Sequence, residues 1–190
     1  MEDEMQNWET REGVKFLKKI GIKTGQTVLD FGARTGHYSI PAAIIVGNFG
    51  LVYAIDKEQQ PLDELKQKTD ALGISNIKII KNSGEVKLNF INDTIDVVLL
   101  YDILHYFKPD ERSSLYAEVH RVLKLKGLLS VYPKHVIEDY PLSEFQGLHF
   151  DDIKQEIQKF HFLFNNKYCG ELSHDDSLNP GCVLNFKKTK

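Results

Sequence analysis

Four residues in the first third of the chain have types and spacing suited to holding a nucleotide-like ligand: Asp30, Gly32, Gly36 and Asp56. The first of them lie in VLDFGARTGHYSIPAA, Val28–Ala43. An apolar run (Thr27, Val28, Leu29) ends in Asp30. The turn Gly32-Ala33-Arg34-Thr35-Gly36 follows, and then an apolar helical pattern with Tyr38, Ile40, Ala42, Ala43, Ile44 and Ile45. Strand, tight glycine turn and helix place such a ligand over the carboxyl end of a first strand. Glycine allows φ > 0 and lets a ligand approach without meeting a Cβ, and the helix start offers N–H groups. Asp56 ends a second β-like run, Leu51–Ile55, 20 residues beyond Gly36. An acid there is placed to accept hydrogen bonds from both ribose hydroxyls. Alone, Asp56 reads as a helix N-cap; in company with Asp30 and the glycine turn, the ligand reading is favoured.

The elements that must position these residues can be read along the chain. Val14, Phe16, Leu17 and Ile20 predict a short amphipathic helix, Gly13–Ile20, stopped by Gly21. Residues 1–12 are polar around Trp8, which suits a lid or a packing anchor equally. The first core helix should run Tyr38–Val46, with Pro41 in its first turn, where a missing N–H costs nothing. Pro61–Leu72 predicts a second, with Leu62, Leu65 and Leu72 on one side, and Ile77, Ile79 and Ile80 a third strand. Ile95–Leu100 is almost wholly apolar, as a parallel strand buried on both faces reads. A helix from Pro109 to Leu123, a Lys126-Gly127 turn and a strand Leu128–Tyr132 follow. The remaining elements are a helix Asp151–Phe160 and strands Phe162–Leu172 and Cys182–Phe186, joined through Asn179-Pro180-Gly181.

VLDFGARTGHYSIPAA, then VYAIDKE, IDVVLLYDILHYF and LYAEVHRVLKLKGLLSV resemble, in order and spacing, the class I S-adenosylmethionine-dependent methyltransferases. The nearest branch is the small single-domain "type 11" enzymes, and the resemblance runs from about Gly21 to the C-terminus. It implies an α/β, Rossmann-like, doubly wound three-layer sandwich, with a seven-stranded, mostly parallel sheet and an antiparallel last strand. It implies S-adenosylmethionine as cofactor. Asp30, Gly32 and Gly36 would surround the methionine part and Asp56 the ribose. Lys57 would flank the adenine, Ser83 and Gly84 would edge it, and Tyr101 would touch the cofactor through its backbone. It also implies that residues 133–150 shape the substrate region and that residues 1–20 are a lid or helix segment of a single domain, 1–190. Two positions depart from the pattern. Ser83 replaces an acid that binds the adenine amino group; Ser or the neighbouring Asn82 can still hydrogen-bond adenine. Arg34 replaces the middle glycine. Its side chain can swing outward, contact the cofactor carboxylate, or abolish binding.

Methyl transfer from a sulfonium is an in-line displacement, for which a protein mainly aligns the reactants and excludes water. A general base is required only when the acceptor must lose a proton. His105, just after the fourth strand, is the acid–base candidate, because imidazole titrates near neutrality; the competing reading is a histidine packing its helix on the sheet. His37 is read as packing or bonding locally. The seven histidines show no HxxxH or HxH pattern, so no metal site is predicted. The strand-four end Leu100-Tyr101-Asp102-Ile103 lacks the Asn/Asp-Pro-Pro-Tyr/Phe motif that holds an exocyclic amine. No cysteine lies near strands four or five, which disfavours cysteine-nucleophile chemistry. A small-molecule acceptor remains by elimination.

Bulk properties fit that reading. The chain has 190 residues, 42% hydrophobic and 27% charged, which is ordinary for one globular domain. A net charge of −3 disfavours a nucleic-acid partner. No apolar run approaches a membrane span, and the acidic, polar start MEDEMQNWETREG is unlike a signal peptide. A cytoplasmic protein, monomer or homodimer, is expected. Cys169 and Cys182 suggest neither a disulfide framework nor a zinc motif, and buried free thiols are expected. The leading function is methylation of a small molecule. The alternatives are a non-catalytic relative that binds a nucleotide or protein partner, and a nicotinamide-dependent oxidoreductase.

Overall fold

The computed structural model describes residues 4–138 and 147–190. Its elements in order are α1 (Glu4–Asn7), a π-helical turn (Trp8–Glu12), α2 (Gly13–Ile20), β1 (Thr27–Phe31), α3 (Ser39–Val46), β2 (Leu51–Asp56), α4 (Gln59–Ala71) and β3 (Ile77–Lys81). Next come β4 (Ile95–Tyr101), a 3-10 turn (Leu104–Tyr106), α5 (Pro109–Val122), β5 (Leu123–Tyr132), α6 (Phe150–Gln158), β6 (Phe162–His174) and β7 (Ser177–Lys188). The strands form one seven-stranded sheet in the order β3-β2-β1-β4-β5-β7-β6. β1 pairs with β2, β2 with β3 and β4 with β5 in parallel, while β7 runs antiparallel to β5. This is the mixed α/β sheet that the resemblance implies. No helix among the described residues is long and apolar enough to cross a membrane.

By its contacts the chain divides into two units. The first comprises residues up to Gly84 with Ser173–Leu178; the second comprises Glu85–Leu172 with Asn179–Lys190. In the first, β1 is buried from Val28 to Phe31, and Asp30 lies in register with Ala54 of β2. α3 is apolar nearly all round and correspondingly buried. Ala33, Ile40, Ala54 and Leu65 form a core cluster flanked by Ile74, Ile77 and Ile79. The N-terminal segment is helical from Glu4, earlier than the periodicity indicates. Trp8 is buried against Phe16 and Tyr38 and donates its indole N–H to the His37 carbonyl at 2.8 Å; it is a packing anchor.

In the second unit β4 is buried along nearly its whole length. α5 is joined to α6 by Arg112, whose guanidinium is 1% exposed and donates to both carboxylate oxygens of Glu156 at 2.9 and 2.6 Å. Three expectations need correction here. β5 begins at Leu123 rather than Leu128; the Lys126-Gly127 signal is an irregularity inside the strand, with Lys126 at φ 64° and a register shift opposite Ile95–Val97. The last two strands are joined by Asp175 and Asp176, not by Asn179-Pro180-Gly181, which lies within β7. Asp175 takes the left-handed conformation, φ 51°, that aspartate tolerates. Gly181 serves close packing instead: a Cβ there would stand 2.8 Å from the Tyr132 ring. Finally, Cys169 and Cys182 are not buried thiols but a disulfide across β6 and β7, with Cys169 exposed and Cys182 half-buried.

Candidate functional site

The loop after β1 is built by its backbone. Gly32 and Gly36 adopt φ 88° and 89°, which only glycine takes without strain. A Cβ on Gly36 would stand 2.2 Å from Cδ1 of the fully buried Leu65, so this glycine also lets α4 pack against the loop. The Gly32 and Ala33 N–H groups both donate to the Ile55 carbonyl, at 2.8 and 2.9 Å, and Gly36 donates to Ala33. The Arg34 N–H donates to Oδ2 of Asp56 at 2.9 Å, and the Glu58 N–H to its Oδ1 at 3.0 Å. The acid at the end of β2 is thus fixed by two amides, and each carboxylate oxygen keeps accepting capacity for a vicinal diol.

Asp30 is 2% exposed at the end of β1 and accepts a 2.6 Å hydrogen bond from the Ser39 hydroxyl in the first turn of α3. Burial pushes its pKa from 3.8 up to about 7; the Ser39 bond opposes this and the Asp56 charge reinforces it. A group of this kind is stabilised as the anion when a ligand cation comes beside it.

The residues predicted to edge an adenine come together at the ends of β2 and β3. The Asn82 N–H donates to the Asp56 carbonyl at 2.9 Å, and the Asn82 side chain accepts from the Gly84 N–H at 3.1 Å, with exposed Ser83 between them. The Lys57 side-chain stem lies 3.7 Å from the position of a Gly84 Cβ.

Arg34, at the position where the family pattern has glycine, adopts a left-handed φ of 44°. Its guanidinium is about half exposed and is ion-paired with Asp175 in the β6–β7 turn. Of the alternatives left by the sequence, the ion pair with Asp175 is compatible with an outward swing. His37 bonds locally only to Thr35; its other partners come from distant parts of the chain. Its Nδ1 lies 2.8 Å from Glu9, and its Nε2 3.0 Å from the Thr35 hydroxyl and 3.3 Å from Asp176. Burial alone would raise the pKa of Glu9. Hydrogen bonds from His37 and from Lys68, the latter at 2.6 Å, outweigh burial and hold it below the usual carboxylate range.

Tyr101 and His105 belong to the second unit. Tyr101 ends β4 with its hydroxyl 2.7 Å from that of Ser130. His105 is less isolated than its place in the sequence suggests. Its Nδ1 is 3.5 Å from Oδ1 of Asp102, which is also 3.5 Å from Nε2 of His135, and the two imidazole rings lie 4.5 Å apart. Asp102 and His135 both have left-handed backbones, φ 55° and 71°. Strain of this kind persists where the surroundings enforce it, commonly at functional sites. Nothing near Asp102 or His135 in the sequence marks them as a pair. The only available signal was that both stand within three residues of the ends of strands that proved adjacent. The second unit also has an open pocket of about 540 Å³ beside the disulfide, and none of these three residues lines it.

The donor set of the first unit fits S-adenosylmethionine. Asp56 suits a ribose diol, and Asp30 suits the cationic amino-acid end. A dinucleotide fits less well: its pyrophosphate needs free loop amides, whereas those of Gly32, Ala33, Arg34 and Gly36 are already engaged.

Comparison with known proteins agrees. Residues 28–127, more than half of the chain, match the family described as "Methyltransferase domain". A probable cobalt-precorrin-6B C(15)-methyltransferase (decarboxylating) of Saccharolobus solfataricus is 35% identical over 94 residues, 48% of this chain and 47% of that protein. A ubiquinone/menaquinone biosynthesis C-methyltransferase of Blochmanniella pennsylvanica is 32% identical over 142 residues, 75% of this chain and 52% of that protein. The chain spans about half the length of the curated relatives it matches. A SAM-dependent methyltransferase structure from Aquifex aeolicus shares the fold with a TM-score of 0.78 at 23% identity, over 98% of this chain and 95% of that one. With sequence match, sheet order and loop architecture in agreement, the chain belongs to the class I S-adenosylmethionine-dependent methyltransferases.

Proposed function

We propose that this protein transfers the methyl group of S-adenosylmethionine to a small organic molecule, at an atom that must give up a proton. The observation that carries the reading is the loop after β1. Its own amides are spent on Ile55 and Asp56, which leaves carboxylates rather than an anion nest to meet the ligand. In this proposal Asp30, Gly32 and Gly36 flank the methionine part and Asp56 holds the ribose. Lys57, Ser83 and Gly84 border the adenine, and Tyr101 contributes its backbone. Bound cofactor supplies an electrophilic methyl on a positively charged sulfur. The chain's own work is to align the acceptor, exclude water and receive a proton.

For that last step we assign His105 as base, with Asp102 orienting its ring. Relatives named as C-methyltransferases support a carbon acceptor, because the attacked carbon must afterwards lose its proton. The rival reading, a fold relative without transfer activity, draws its support from Arg34 and Ser83; the Arg34 side chain is engaged with Asp175. A cytoplasmic setting and a monomer or homodimer belong to the same proposal; the disulfide weighs against the setting.

The test is methyl-labelled S-adenosylmethionine offered with a naphthohydroquinone bearing an open ring carbon, a catechol, an alkyl thiol and a primary amine. Label should enter the hydroquinone or catechol, and His105→Gln should lower that rate about 100-fold with cofactor affinity unchanged. Label in the thiol or amine alone overturns the carbon acceptor, and label in none of the four with cofactor bound normally overturns the acceptor class.

A further inference from the structure

We propose that the Asp175–Asp176 turn is a charge latch on the glycine loop, which the cofactor's own carboxylate opens by replacing Asp175 on Arg34. This rests on the cofactor reading above. Arg34 links the two parts directly: its N–H donates to the ribose-binding candidate Asp56, and its guanidinium pairs with Asp175. It does so from a left-handed backbone, φ 44°, that glycine would occupy without strain. A strained arginine at a position suited to glycine points to a task for its side chain.

The turn is fastened at neighbouring points too. Asp176 lies 3.3 Å from His37 Nε2, and the Tyr38 hydroxyl donates to the Ser173 carbonyl at 2.8 Å. His37 is backed by Glu9 and Lys68, and its carbonyl accepts the Trp8 indole N–H. The N-terminal segment, glycine loop and hairpin turn therefore form one network of charges and hydrogen bonds.

The exposure of the Arg34–Asp175 pair makes it exchangeable. Its side chains are 52% and 61% exposed, and pairs of this kind contribute little. A ligand carboxylate offering a two-pronged contact to the same guanidinium can displace Asp175 at small cost. A nucleoside thioether without an amino-acid part has nothing to exchange and gains nothing from Arg34.

The experiment compares S-adenosylhomocysteine with 5′-methylthioadenosine, which lacks the amino-acid part. Affinities come from calorimetry and binding rates from Trp8, the single tryptophan of the chain. Asp175→Asn should tighten S-adenosylhomocysteine about threefold at low salt and speed its binding, with no change for methylthioadenosine. The gain should vanish in about 1 M salt, where charges are screened within about 3 Å. It should also vanish in the Arg34→Ala background, where S-adenosylhomocysteine binds more weakly than to the unaltered protein. Equal shifts for both nucleosides, no shift for either, or a gain that survives Arg34→Ala overturns the latch. If the unaltered protein binds neither nucleoside, the cofactor reading fails and the latch with it.

Discussion

Asp30→Asn should make the ligand-free protein more stable at high pH while impairing what the loop is for. Asparagine keeps the side-chain shape, and its amide oxygen can still accept the Ser39 hydroxyl. It removes only the ionisation. In the folded protein burial raises the Asp30 pKa from 3.8 to about 7. A group raised in this way contributes stability that is fully present below pH 3.8 and lost as pH rises through 7. The full effect is about 4 kcal/mol, and more than half of it falls between pH 5 and pH 8. The assay is urea unfolding of both proteins at pH 5, 6, 7 and 8, read as the difference between them so that other titrating groups cancel. The unaltered protein should lose ground to the variant by about 3 kcal/mol across that range. A bound ligand cation should hold Asp30 ionised, so S-adenosylhomocysteine should flatten the difference and release a proton on binding near neutral pH. A ligand-free difference that stays constant within about 0.5 kcal/mol refutes the claim that burial keeps Asp30 protonated.

Other perturbations test the frame around the site. Gly36→Ala combines a left-handed backbone with a Cβ 2.2 Å from Leu65, and should cost about 3 kcal/mol in urea unfolding. Because the backbone strain would remain, Leu65→Val in the same chain should recover only part of that loss. Arg112→Ala leaves Glu156 without its guanidinium partner and should destabilise by about 3 kcal/mol, with Arg112→Lys a poor rescue for lack of the planar fork. Cys182→Ser should cost about 2 kcal/mol; a dithiol reductant should produce the same loss in the unaltered protein and none in the variant.

The elements were legible where one physical signal dominated. Val97–Leu100 is apolar at every position and proved to be a strand buried on both faces. Gly36 and Asp56 were found because backbone geometry and hydrogen bonding restrict the residues that serve there. The N-terminal helix was read only from Gly13, because Glu9 looks solvated until His37 and Lys68 are brought beside it from far along the chain. The last hairpin was misplaced because Asn-Pro-Gly is a strong local turn signal, whereas at Gly181 the need is set by a ring from β5. Asp102 and His135 were missed as a pair because only the adjacency of β4 and β5 joins them.

What the loop between Asp30 and Asp56 binds decides the chemistry of this protein. Isothermal titration of the unaltered protein with S-adenosylmethionine, S-adenosylhomocysteine and NAD, repeated with Asp56→Ala, measures this without an acceptor in hand. Micromolar binding of both sulfur nucleosides, its loss in Asp56→Ala, and no binding of NAD is the predicted result. Binding of NAD, or no binding of either sulfur nucleoside, would contradict the account.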